Sequence, residues 1–151
     1  MMIRGMEMWK EFINSLSDEY EFQEPAKEKD IIEAEGQLGV ELPQDLRELL
    51  KESNGILGEY RISIIWDIKR IVQDNLNFRN SSDFKELYMP FDCLLFFADA
   101  GNGDQFAYPI LNGTISKDDI YVWNHEDDSR TWVASSLKWF IDGWSSGQIS
   151  T

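Results

Sequence analysis

Residues 96–110, FFADAGNGDQFAYPI, contain the side chains of this sequence that are most suited to binding a ligand. Asp99, Asn102 and Asp104 supply three oxygen-bearing side chains within six residues, and two glycines lie between the aspartates. Oxygen ligands of this kind coordinate calcium, and glycine-rich loops can hold phosphate groups against their backbone N–H groups. The spacing must therefore be compared with both kinds of site.

Neither kind of site fits the spacing. A phosphate loop leads into a helix N-terminus and usually carries a lysine, whereas this loop has no lysine and continues as a strand-like segment. An EF-hand counted from Asp99 would have its third, fifth and twelfth positions at Gly101, Gly103 and Ile110, none of which supplies a ligand side chain. We therefore interpret the loop as a hairpin turn in which Asn102 and Gly103 can adopt positive φ. An irregular cation site is the alternative.

His125 is followed by three acids, Glu126, Asp127 and Asp128. A catalytic zinc site would require a second histidine or well-spaced carboxylates, and His125 is the only histidine of the chain. No serine or cysteine nucleophile motif accompanies it. The pattern favours a solvated loop at the end of a strand. The alternative is an acidic patch that contacts Arg or Lys of a partner.

Cys93 is the only cysteine, so an intramolecular disulfide is excluded and a reducing compartment is indicated. The apolar run that follows it predicts a buried, small hydrophobic residue. The N-terminus lacks the apolar segment of a secretion signal, and no apolar run approaches the ~20 residues of a membrane-spanning helix. We therefore expect a cytoplasmic protein.

Charge restricts the classes of partner. The 151 residues include 28 acids and 14 lysines or arginines, which gives a net charge of −14. Nucleic acid and anionic membrane surfaces are disfavoured as partners because both bind clustered basic side chains. An acidic surface can serve solubility alone, but it also attracts a basic protein by long-range steering.

The elements that must position these residues follow from the apolar spacing and the turn residues. Ser135 or Ser136 is the expected N-cap of the last helix, and Asn112–Gly113 predicts a tight hairpin. In chain order we predict helices at 8–16, 31–38 and within 43–55, a strand at 61–66, a helix at 67–78, a helical turn within 83–90, strands at 93–99, 105–110 and 119–125, and a helix within 135–147.

Helices precede a run of consecutive strands, and a helix follows them. This order predicts an α+β fold with N-terminal helices, a central, mostly antiparallel or mixed sheet and a C-terminal amphipathic helix. We expect one domain over residues 1–151, with residues 1–7 disordered. Trp9, Phe140 and Trp144 lie on apolar helix faces and are expected in the core. Trp66, Trp123 or Trp132 could be an exposed interface anchor, and the sequence does not say which.

Three segments carry motifs that are distinctive in combination. The first is I-x2-E-x2-L-G-V-x-L-P-x2-L-x2-L-L-x3-N-G over residues 32–55, which is the most distinctive. The second is F-A-x2-G-x-G-D-x-F-A-Y over residues 97–108, and the third is V-W-x-H-E-x6-V-A-x-S-L-x2-F-I over residues 122–141. In their order and spacing these segments resemble the SUKH superfamily, and the resemblance covers residues 28–145. It implies an α+β domain with a binding role. The superfamily includes bacterial immunity proteins that neutralise polymorphic toxins and a fungal regulator of cell-wall synthesis.

The resemblance implies no shared catalytic residues, and no cofactor or metal is expected. Together with the charge, it predicts a non-enzymatic immunity protein that binds a basic toxin, for example a nuclease, and a monomer is favoured. The residues predicted to contact the partner are Asp99, Asp104, Glu126, Asp127 and Asp128. One alternative is a regulator or scaffold of the cell-wall type that binds a cellular protein. A more remote alternative is a hydrolase that uses Asp99, Asp104 and His125 with a metal.

Overall fold

The computed structural model describes residues 8–58, 63–81 and 89–149. The helices within these residues are α1 (Met8–Leu16), α2 (Glu28–Leu38), α3 (Gln44–Glu52), α4 (Ile68–Asn80) and α5 (Leu137–Ser146). The strands are β1 (Glu21–Phe22), β2 (Ile56–Leu57), β3 (Ser63–Ile65), β4 (Leu94–Asp99), β5 (Gln105–Pro109), β6 (Ile120–Trp123) and β7 (Arg130–Ala134).

Glu35 fixes the angle between α2 and α3. Gly39 ends α2 at φ 74°, a backbone conformation that glycine adopts without steric cost. The Glu35 carboxylate then accepts the backbone N–H of Leu42 at 2.8 Å and a two-point contact from the Arg47 guanidinium at 2.9 and 3.3 Å. A planar guanidinium and a carboxylate match geometrically, so this contact orients the two helices as well as joining them.

The strands form two antiparallel sheets, which meet along one edge. The first has the order β1-β2-β3 and the second the order β4-β5-β6-β7. The backbone N–H of Trp66, directly after β3, donates to the carbonyl oxygen of Phe97 in β4 at 2.9 Å. The strand order therefore places β1 and β7 at the outer edges of the combined arrangement.

The four-stranded sheet is covered by a helix on each face. Phe96 and Phe97 are consecutive residues of β4 at an irregularity of its pairing with β5, and they contact helices on opposite faces of the sheet. Phe96 contacts Phe78 of α4 with ring centroids 5.0 Å apart, and Phe97 contacts Phe140 of α5 at 5.6 Å. These contacts belong to one continuous hydrophobic core. The result is the predicted single-domain α+β fold with N-terminal helices and a C-terminal amphipathic helix.

Most predicted elements are confirmed with shifts of a few residues at their ends, whereas β1, β2 and β7 were not predicted. The Asn112–Gly113 hairpin is confirmed, since both residues have positive φ and Leu111 pairs with Thr114. Ser136 is the N-cap of α5 and accepts the N–H of Trp139. The disorder expected at residues 1–7 and most of the helical turn expected within 83–90 lie outside the described residues.

The predicted burial of Cys93 is wrong, because the side chain is exposed just before β4 begins. The apolar run after it is buried, but the strand and its burial start one residue later.

Trp9 and Phe140 lie in the core as predicted, and Trp144 packs against it. None of the described helices has the length and apolar character needed to cross a bilayer.

Candidate functional site

The loops that join β4 to β5 and β6 to β7 lie at the same end of the sheet. Gln105 pairs with Trp123 in the β5–β6 ladder, so the loop before Gln105 and the loop after Trp123 are neighbours. We define the hairpin end as residues 99–104 and 124–130. All five acids that the sequence predicted as partner contacts lie in it.

Asp104 joins the two loops of the hairpin end. Its side chain is buried, and its Oδ1 accepts the backbone N–H of His125 at 3.1 Å and lies 2.6 Å from His125 Nδ1. The positive φ predicted for Asn102 and Gly103 is found at Gly103, with φ 103°, but is wrong for Asn102; the other positive φ of this loop is at Gly101. A Cβ atom at Gly103 would lie 2.9 Å from the His125 ring. The glycine is therefore required both by its backbone conformation and by the close approach of the imidazole.

Asp99 is held by side chains at the start of α4. Its Oδ2 accepts Trp66 Nε1 at 3.2 Å and the Arg70 guanidinium at 2.7 Å, and its Oδ1 accepts the N–H of Gly101 at 3.0 Å. The Arg70 guanidinium also lies over the Trp66 ring, 4.3 Å from its centroid. The Asp99 carboxylate is therefore directed towards α4, while that of Asp104 is directed towards His125.

Asp128 connects the β6–β7 loop to the chain before β4. Its carboxylate accepts Trp123 Nε1 at 2.7 Å, the Arg130 guanidinium at 3.1 Å and the backbone N–H of Met89 at 2.9 Å. Burial raises the pKa of this carboxyl, but the hydrogen bonds from Met89, Trp123 and Arg130 outweigh it, so the pKa lies below its ordinary value. Arg130 also donates to the carbonyl oxygens of Met89 and Pro90.

Glu126 and Asp127 are the exposed acids of the hairpin end. The Asp127 carboxylate accepts the backbone N–H of Ser129 at 2.9 Å, and this bond together with the Ser129 hydroxyl lowers its pKa. The backbone N–H of Glu126 donates to the Asn124 side chain at 2.8 Å. Both residues therefore lie on a loop with defined internal hydrogen bonds, and their carboxylates can reach a partner.

The sequence did not reveal the partners of Asp99 and Asp104. Arg70 is separated from Asp99 by 29 residues, and His125 from Asp104 by 21, so no local spacing pattern connects them. The part of the chain that the structure describes contains no group of three or more histidines, cysteines or acids arranged to hold a metal ion. What the hairpin end can do chemically is bind basic groups through the two exposed carboxylates.

A family model described as SMI1-KNR4 cell-wall, SUKH_6, matches residues 28–141. The chain belongs to this family. Membership places it in the SUKH superfamily and supports a protein-binding module of the immunity or SMI1/KNR4 type. None of the curated proteins matches the sequence.

The residues that carry the SUKH resemblance have structural roles in this chain. Asn54 accepts the N–H of Ile68, the first residue of α4, at 2.9 Å. Gly55 has φ 96°, and a Cβ atom there would lie 3.0 Å from the backbone nitrogen of Asp67. The motif Asn54–Gly55 therefore joins the end of α3 to the start of α4, and the second and third motifs meet at the contact between Asp104 and His125.

Proposed function

We propose that this chain is a non-enzymatic immunity protein that neutralises a toxin by covering a basic surface of it. The observation that carries the proposal is the division of acids at the hairpin end. Asp99, Asp104 and Asp128 bind groups from other segments of the chain or from neighbouring strands. Glu126 and Asp127 are exposed on the loop that Asp104 and Asp128 anchor, and the contact of the Asp127 carboxylate with Ser129 lies within that loop. Carboxylates on a fixed loop lose little conformational entropy when they bind Arg or Lys of a partner.

A nuclease toxin suits this arrangement because its substrate site must be basic to bind a phosphate backbone. The net charge of −14 would accelerate the encounter by long-range attraction. In this proposal Glu126 and Asp127 contact the toxin directly. The other three predicted acids hold the loops in position.

The second candidate is a regulator or scaffold that binds a protein of cell-wall synthesis. The description of the matching family model as SMI1-KNR4 cell-wall favours it. The same exposed carboxylates would then contact a cellular protein rather than a toxin. The two candidates share the binding surface and differ in the partner.

The direct test first searches for a toxin gene directly upstream of the gene for this chain and then co-expresses the two proteins. We expect restored growth of the cells and co-elution of the two proteins in gel filtration. The double variant Glu126→Lys/Asp127→Lys should weaken the complex at least about tenfold, because it replaces attraction with repulsion at the contact. The dissociation constant measured by calorimetry reports this change.

A matched control is Glu33→Lys/Glu41→Lys, which changes the net charge equally at exposed positions away from the hairpin end. This variant should retain most of the affinity. Equal losses in the two variants would show that only the net charge matters and would contradict a contact at the hairpin end. If the chain neither restores growth nor forms a complex with the toxin, the immunity role is excluded. A complex with a cell-wall synthesis protein would then support the second candidate.

A further inference from the structure

Two tryptophans line an exposed groove beside β7. Trp132 of β7 is 52% exposed, and Trp139 of α5 is 64% exposed. Both line a groove of ≈ 420 Å³, to which Val133, Gly143 and Ile149 also contribute. Exposed tryptophans that share a groove are typical of interaction surfaces, because the indole ring supplies a large apolar contact area.

The chain after α5 forms one wall of this groove. Gly147 has φ 84° and ends the helix, after which the chain turns back and the N–H of Ile149 donates to the carbonyl oxygen of Gly143 at 3.0 Å. A Cβ atom at Gly143 would lie 2.5 Å from Ile149 Cδ1, so the Ile149 side chain rests directly on the glycine. The groove is therefore built by specific packing.

The groove adjoins β7, the last strand of the four-stranded sheet among the described residues. β7 pairs with β6 on one side, and no other described strand pairs with it on the other side. Proteins usually protect such edges with proline, lysine or inward-pointing charges. The sequence of β7, RTWVA, contains neither proline nor lysine, and the Arg130 guanidinium is turned towards Asp128 and the carbonyl oxygens of Met89 and Pro90.

Acids adjoin the two tryptophans. Asp119 accepts Trp132 Nε1 at 3.2 Å, and Asp142 follows Trp139 by three residues on α5, which places the two on adjacent positions of the helix surface. The basic residue nearest to Trp139 in sequence is Lys138. Its ammonium group lies over the Phe12 ring of α1, 5.0 Å from the ring centroid. The acidic surroundings favour a basic occupant. They disfavour a second copy of this chain, whose net charge is −14.

From these observations we infer that β7 and the adjoining groove bind an extended segment of a partner protein that pairs with the β7 edge. The segment inserts an aromatic or aliphatic side chain between Trp132 and Trp139. Its lysines or arginines contact Asp119 and Asp142. Backbone hydrogen bonds supply affinity in this mode, and alternate side chains supply specificity. The inference goes beyond the proposed function, because it applies to a toxin and to a cellular partner alike.

The test uses the peptide acetyl-TKVWVKT-amide as a probe and the full chain in calorimetry and amide NMR. We expect binding with a dissociation constant below about 1 mM and shifted amide signals in β7. Trp132→Ala and Trp139→Ala should each weaken binding at least about fivefold. Leu111→Ala and Ile32→Ala remove comparably exposed apolar side chains elsewhere and should leave binding unchanged. Since all four side chains are exposed, the variants should fold.

Two altered peptides test the stated chemistry. A peptide N-methylated at both valines and at the tryptophan retains the side chains but loses the central N–H donors of both its edges, and one with Glu for Lys reverses the charges. Each should bind at least about tenfold more weakly. Three results would overturn the inference. The parent peptide fails to bind, either altered peptide binds as well as the parent, or neither tryptophan variant weakens binding of the parent peptide. Self-association that Trp132→Ala abolishes would also overturn it, because the occupant would then be a second copy. If the peptide binds as expected but the neighbouring toxin is not neutralised, the immunity role alone fails.

Discussion

At the scale of single residues, Asp128 combines an unusual backbone conformation with three hydrogen-bonded contacts. Its φ is 60°, a left-handed conformation that Asp and Asn tolerate better than other side chains. Its pKa is lowered in the folded protein because the hydrogen bonds to the ionised form outweigh the effect of burial. A carboxyl with a lowered pKa stabilises the fold above its unfolded pKa, and this contribution is lost as the pH falls through the folded pKa.

Asp128→Asn should therefore destabilise the protein in a pH-dependent way. Asparagine retains the backbone conformation and one acceptor, but it removes the negative charge that Arg130 and the other donors bind. We expect a loss of about 1–3 kcal/mol in the free energy of unfolding at pH 7. The difference from the unaltered chain should shrink as the pH falls below about 5. Urea unfolding at several pH values measures it.

Asp127→Asn is the control in the same loop, since that carboxylate is exposed and asparagine can still accept the N–H of Ser129. Its stability at pH 7 should stay close to that of the unaltered chain. A loss in Asp128→Asn that is equally large at pH 7 and at pH 3 would show that the charge of Asp128 does not contribute.

The sequence predicted the nature of the 96–110 loop but not the contacts of its acids. The failed calcium and phosphate spacings indicated a hairpin, and the structure has one between β4 and β5. The burial of Asp104 against His125 depends on the neighbouring β6–β7 loop, which is adjacent only after the sheet has formed. Local spacing carries no information about such a contact.

At the scale of elements, a buried amide joins α4 to β4. Asn75 is 1% exposed, and its Oδ1 accepts the backbone N–H of Phe96 at 2.8 Å. Its Nδ2 donates to the carbonyl oxygens of Phe96 at 2.8 Å and Ile71 at 2.7 Å. One side chain thus satisfies both backbone groups of a residue in the central strand.

Asn75→Ala should destabilise the protein by about 2–5 kcal/mol, because it leaves the buried N–H and C=O of Phe96 without partners. Urea unfolding should show a lower midpoint with an unchanged slope. Asn77→Ala is the matched control, since Asn77 is an exposed residue of the same helix, and its effect should stay within about 0.5 kcal/mol. Similar losses in the two variants would contradict the role assigned to Asn75.

Helices were easier to predict than strands, because capping residues mark helix ends in the local sequence, whereas edge strands and very short strands lack an apolar period. The end of α2 at Gly39 and the start of α5 after Ser136 are encoded by capping residues in the local sequence. By contrast, β7 lies at a sheet edge with Thr131 and Trp132 exposed, so it lacks an alternating apolar pattern. β1 and β2 contain two residues each, too few for any period.

At the scale of the whole molecule, there are too few basic side chains to pair with every carboxylate. Some carboxylates therefore lie beside a lysine or arginine, and others lie beside further carboxylates. Glu28 is paired with Lys51 and Arg47, and the hydrogen bond from Lys51 lowers its pKa. Asp45 has a raised pKa, first because of partial burial and then because of the nearby carboxylates of Asp118 and Glu48. Like charges that meet in the folded state reduce its stability at neutral pH.

Asp118→Asn should therefore raise the thermal midpoint at pH 7 by about 2 °C in about 10 mM salt, where the Debye length is about 30 Å. The gain should decrease in about 1 M salt, because screening weakens the repulsion from Asp45 in both proteins. Glu28→Gln also removes one negative charge, but it breaks contacts with Lys51 and Arg47 and should not raise the midpoint. Differential scanning calorimetry at the two salt concentrations measures both effects. A gain in Asp118→Asn that persists unchanged in 1 M salt would exclude charge repulsion as its cause.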